Sequence, residues 1–113
     1  MNNNTKAEDA FYDARDGINV KENEKIVLKC KKIYWCYRFA LDVPGANIKA
    51  HEKVILELEY TKYSYYFARD VLGANIEEHF KVIYNSGNKY WLNFFIEEVN
   101  YKNTKVEVWL LYI

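Results

Sequence analysis

Residues 39–55 read FALDVPGANIKAHEKVI, and residues 67–83 read FARDVLGANIEEHFKVI. The second stretch lies 28 positions after the first and keeps Phe, Ala, Asp-Val, Gly-Ala-Asn-Ile, His and Lys-Val-Ile in place. The same spacing carried outwards puts Phe11, Phe39, Phe67 and Phe95 in one column. Asn19, Asn47, Asn75 and Asn103 form a second column, and Val27, Ile55, Ile83 and Leu111 a third. Four repeats, 2–29, 30–57, 58–85 and 86–113, then account for every residue but Met1. A fixed period of this size is the mark of an array in which each repeat is one supersecondary element that buries its apolar face on its neighbours. Such arrays are binding scaffolds more often than catalysts.

The first half of each repeat has apolar residues at helical spacing. Trp35, Cys36, Phe39, Ala40 and Val43 make one stripe, and Tyr63, Ser64, Phe67, Ala68 and Val71 repeat it. The stripe ends at Pro44-Gly45 and Leu72-Gly73, where glycine can take the left-handed conformation that closes a helix. The Asn two positions later is expected to be the N-cap of a second helix, whose apolar edge is Ile48, Val54 and Ile55 or Ile76, Val82 and Ile83. Glu22 and Glu78, three residues after Asn19 and Asn75, suggest capping boxes. The expected fold is therefore all-α: a single domain, 1–113, forming a short α-solenoid of four helix-turn-helix repeats.

The outer repeats depart from the pattern. In the first, Ala7, Glu8, Asp9 and Arg15 replace apolar residues of the stripe or its surroundings, as a polar N-terminal capping repeat requires. In the fourth, Tyr101 and Lys102 replace the turn Gly-Ala, and Val106–Ile113 is rich in strand formers. Tyr90 to Val99 followed by Lys105 to Ile113 reads alternatively as a C-terminal β-hairpin, while the Phe95, Val99 and Asn103 columns favour a degenerate helical repeat.

Sixteen basic and sixteen acidic residues balance in the 113-residue chain, which argues against a nucleic-acid binder driven by excess positive charge. The one basic cluster is Lys25, Lys29, Lys31 and Lys32. No apolar run approaches the roughly 20 residues that span a bilayer, and no secretory leader is read. A cytoplasmic protein with Cys30 and Cys36 reduced is expected, Cys36 lying on a buried helical face.

The pattern YxFAxDVxGANIxxHxKVI, beginning at Tyr37 or Tyr65, resembles short tandem helical repeats of uncharacterised proteins from phages and low-GC bacteria. It covers the two central repeats well and the outer two poorly, and it implies a fold rather than a catalytic site. Related repeats tend to carry Leu where this chain has His51 and His79. In size and style the chain also resembles the small inhibitors that mobile elements carry against bacterial defence, such as anti-CRISPR proteins. That resemblance implies an inhibitor occluding a surface of a larger bacterial complex.

His51 and His79, with Cys30 or Cys36, lack the four closely paired ligands of a structural zinc site. Nothing near them reads as a nucleophile or oxyanion hole, and no Gly-rich phosphate loop occurs. No catalytic residue, metal or cofactor is assigned, and a hydrolase using either His would need a bound metal or a deep pocket. The aromatics are the stronger lead, because Tyr, Trp and Arg dominate interface energetics. Tyr37, Arg38, Tyr65, Tyr66 and Arg69 are expected off the apolar stripe as a protein-binding ridge. Phe94, Trp109, Tyr112 and Ile113 are expected to form an apolar C-terminal patch, covered by the partner or by a second copy in a homodimer. The alternative is an RNA-binding array that stacks bases on Tyr and uses the Lys cluster.

Overall fold

The computed structural model describes residues 2–99 and the helical backbone at residue 100. Among the described residues seven helices follow one another: α1 (Asn3–Arg15), α2 (Val20–Cys30), α3 (Ile33–Asp42), α4 (Ile48–Leu58), α5 (Thr61–Asp70), α6 (Ile76–Asn85) and α7 (Lys89–Asn100). There is no strand among the described residues. The β-hairpin alternative fails in its first half, since Tyr90 to Val99 lies within α7. Lys105 to Ile113, with the expected interface residues Trp109, Tyr112 and Ile113, lies outside the described residues. The helices group into two compact units, Met1–Leu58 and Glu59–Ile113, divided at a repeat boundary.

In the first unit α1 pairs with α2 and α3 with α4, and the second hairpin packs α3 on α1 and α4 on α2. Phe11 and Phe39 are fully buried with ring centroids 6.4 Å apart, and Val27 and Ile55 are fully buried on the second helices. Burying one such side chain stabilises by about 1.5–3 kcal/mol, so the repeated columns are the main source of cohesion. Ala7, at the stripe position that Trp35 holds in the next repeat, is fully buried. Its small side chain lets α1 approach its neighbour closely. In the second unit α5 and α6 form a hairpin and α7 packs on both. The core there is Tyr65, Ala68, Phe80, Ile83, Phe95 and Val99, joined by Ile76, Leu92 and Trp91 at its edge.

The turns obey the register, with one exception. Asn47 Oδ1 accepts from the Ala50 N–H at 3.2 Å, and Asn75 Oδ1 from the Glu78 N–H at 3.3 Å, so both are N-caps. Asn19 makes no such bond, and its backbone is left-handed with φ 43°. The expected Asn19–Glu22 capping box is therefore absent, because an N-cap needs extended backbone to aim its side chain at the helix. A second column has no sequence signature. Lys31, Glu59 and Gly87, spaced by 28, all have left-handed φ, at 52°, 50° and 74°. They end the second helices of the first three repeats, as Gly45 and Gly73 end first helices.

Candidate functional site

In each unit the first helices of the repeats carry a surface of aromatic rings crossed by arginines. On the first unit, Tyr12 of α1 and Tyr34 of α3 pack edge-on against Trp35, at 5.9 and 4.8 Å between centroids. The Trp35 indole N–H donates to Asn4 Oδ1 at 3.1 Å, which fixes the ring that bridges the two helices. The Arg15 guanidinium lies 4.7 Å from the Tyr12 ring, and that of Arg38 lies 5.0 Å from Phe11. Arg38 Nε donates to Asp42 Oδ2 at 2.7 Å and Nη1 to the Tyr34 hydroxyl at 2.9 Å. The Asp42 and Tyr34 hydrogen bonds push its pKa up, so its charge is permanent and its orientation set.

On the second unit the same face is broader. Tyr60, Tyr63 and Tyr66 recur every three residues, which brings them to one side of α5. Their rings run on into α7: Tyr60–Tyr63 at 5.5 Å, Tyr63–Tyr66 at 5.8 Å, Tyr66–Trp91 at 6.1 Å, Trp91–Tyr90 at 5.6 Å and Tyr90–Phe94 at 4.8 Å. Most of these contacts are tilted or edge-to-face, the arrangement that the ring quadrupole favours. Arg69 sits 5.1 Å from Tyr65 and 5.0 Å from Tyr66. It grips Asp70 through Nε at 2.6 Å and Nη2 at 2.8 Å, and this bidentate bond raises its pKa. Tyr60 and Tyr90 are 52% and 64% exposed, so the strip has wet ends and a half-buried middle.

Arg38, Tyr66 and Arg69 of the expected ridge are half-buried members of these two surfaces, and Phe94, expected in the C-terminal patch, is half-buried beside them. Tyr37 and Tyr65 are not on an exposed ridge: they are 9% and 4% exposed. Each stands three residues before an Ala, Ala40 or Ala68, and the small side chain leaves room for a ring to turn inward. In the second unit the Tyr65 ring packs on Trp91 at 5.5 Å and on Phe94 at 6.2 Å. Sequence reasoning missed Tyr12, Arg15, Tyr34, Tyr60, Tyr90 and the surface role of Trp91. The signal was present in the register, where positions 34, 62 and 90 read Tyr, Lys and Tyr beside the Trp35, Tyr63 and Trp91 column.

The two histidines are structural. His51 and His79 are fully buried, and each ring lies against the Phe of its own repeat: Phe39 at 4.9 Å and Phe67 at 5.3 Å. His51 Nε2 meets the Glu24 carboxylate at 2.9 Å, yet desolvation outweighs that bond and lowers its pKa. A neutral ring facing a carboxylate must carry its proton on Nε2. Nδ1 then has no partner, so the ring is poorly placed for proton transfer. Among the described residues no three His, Cys, Asp or Glu side chains converge as a metal site. Burial, with a smaller push from Cys30, raises the Cys36 thiol to about 12, which makes it inert.

No protein-family model matches the chain, and neither a curated protein nor a solved structure matches it.

Proposed function

We propose that this chain is a non-enzymatic protein-binding module that docks through its aromatic and arginine surfaces. The observation that carries this reading is the strip on the second unit, where rings of α5 and α7 run from Tyr60 through Trp91 to Phe94. Rigid aromatics offer large contact area at little rotamer cost, and pre-oriented guanidinium groups add directional donors. A mobile-element inhibitor that occludes a larger bacterial complex is the biological form we favour. It rests on the resemblance in size and repeat style.

The RNA reading is second because the arginines already hold carboxylates, Arg38 with Asp42 and Arg69 with Asp70. Their charge is offset before a phosphate arrives, and the whole chain is neutral. A photo-crosslinking amino acid at Tyr34 or Tyr90, with Lys53 and Glu57 as off-face controls, tests the choice in cells. One protein captured from the face positions and not from the controls, unaffected by nuclease, supports the proposal. Nuclease-sensitive adducts, or equal capture from every position, overturn it.

A further inference from the structure

A groove of about 550 Å³ runs along the outer side of the first hairpin, away from the face that receives α3. Asn3, Lys6, Asp9, Ala10 and Asp13 of α1 line one wall. Asn23, Ile26, Lys29 and Cys30 of α2 line the other. Ile26 is an aliphatic side chain left 41% exposed at the middle of the second wall. Lys6, Asp9, Asp13 and Lys29 are exposed, and none of them is paired with another described residue. The groove thus combines a part-exposed apolar centre with charges that no other described residue offsets.

The order of these residues is palindromic in chemistry. A two-fold axis crossing α1 between Asp9 and Ala10 would lay α1 antiparallel on the α1 of a second molecule. Lys6 would then oppose the partner's Asp13 and Asp13 the partner's Lys6, while Asp9 would come beside the partner's Asp9 near the axis, next to the small, 4% exposed Ala10. The same axis crosses α2 at Ile26. Ile26 would meet the partner's Ile26 on the axis. The Lys6–Asp13 pairs and the Ile26 pair are self-complementary about one axis, the requirement of an isologous interface. Small residues at the crossing and aliphatic side chains beside it suit antiparallel helix packing.

We propose that the first hairpin forms a two-fold dimer interface with a second copy of this chain, centred on Ile26 and keyed by the Lys6–Asp13 pairs. Two neighbouring helices, about 20 Å long and 20 Å across, present a footprint of about 400 Å² per copy. That is half of the roughly 800 Å² per partner of a stable complex, so the dimer is weak and concentration-dependent. It uses neither aromatic surface, and it stands or falls independently of the proposed function.

The test is sedimentation of the full chain from about 10 µM to about 1 mM, the range in which so small an interface assembles. The mass should rise toward, and stop at, that of two chains. Lys6→Asp alone and Asp13→Lys alone should each weaken association by about tenfold, because each turns two attractions into repulsions. Lys6→Asp with Asp13→Lys should restore it. All four charges are exposed, and circular dichroism checks that each variant stays helical. Ile26→Lys, at a half-exposed position, should abolish the dimer. A mass of one chain throughout, growth beyond two chains, or a dimer indifferent to the charge swap and to Ile26→Lys would overturn the proposal.

Discussion

One carboxylate oxygen of Glu24 holds His51 Nε2 at 2.9 Å and also accepts the Asn47 backbone N–H at 2.8 Å. Glu24 lies on the second helix of the first repeat, and His51 lies one turn inside the second helix of the next. This junction joins the two hairpins of the first unit at the point where α4 begins. It gives the buried His51 ring a polar partner across the two repeats. Glu24→Ala would leave two donors without an acceptor, and we expect a loss of about 2–3 kcal/mol in chemical denaturation.

The junction also gives stability a pH dependence. Around His51 the charged group is Glu24 from α2, while Phe39 from α3 stacks on the ring. Burial holds the folded pKa below the ordinary 6.5, so the unfolded chain takes up this proton first. The contribution is complete above about pH 6.5 and is lost as pH falls from there toward the folded pKa. Melting temperature should therefore drop on acidification in this window. His51→Asn, the residue that the first repeat carries at position 23, should flatten that part of the profile; an unchanged slope would mean that His51 is not the titrating group.

The caps should separate by geometry rather than by sequence. Asn75→Ala removes a hydrogen bond to the Glu78 N–H and should cost about 1 kcal/mol. Asn19 makes no cap bond and is left-handed, so Asn19→Gly should be neutral or stabilising. Thermal melts ranking Asn19→Gly as the worse of the two would contradict the turn described for the first repeat.

At the left-handed columns, opposite substitutions should have opposite signs. Gly73→Ala meets no atom within 4 Å, so its cost is conformational, about 1 kcal/mol at φ 89°. Lys31→Gly relieves the same strain at φ 52° and should gain up to about 1 kcal/mol, less the entropy that glycine adds to the unfolded chain. Equal destabilisation by both would show that residue 31 is not left-handed in solution.

The thiols should react unequally. Cys30 is half-buried, whereas Cys36 is fully buried with its pKa pushed up to about 12. Under native conditions at neutral pH, a thiol reagent should modify Cys30 and spare Cys36, and both should react in denaturant. Native modification of Cys36, located by peptide mass, would place its helix face outside the core.

Much of the fold was legible because the register reports burial directly. All four Phe of the first column are fully buried, as are Val27, Ile55 and Ile83 of the third. What a period cannot report is conformation without a marker residue. Lys31 and Glu59 give no hint of positive φ, and only Gly87 in their column does. Nor can it report a pair that spans repeats, since Glu24 and His51 stand 27 positions apart and share no motif. The five-residue apolar stripe is narrower than the buried face, which also takes in Tyr37 and Tyr65. Helices packed on two sides bury a wider arc, and the more exposed rings are Tyr34, Tyr60 and Tyr90.

The most direct test of a protein-docking role is the affinity of the crosslinked partner, once purified, for the native chain and for Tyr90→Ala and Trp91→Ala. We expect at least one of the two truncations to cost about 2 kcal/mol or more while the helical spectrum is kept. The native affinity should change little between about 50 and 200 mM salt, where a protein neutralising several phosphates would lose about a thousandfold. A steep salt dependence, or an affinity untouched by both truncations, would contradict the role assigned to the aromatic strip of α5 and α7.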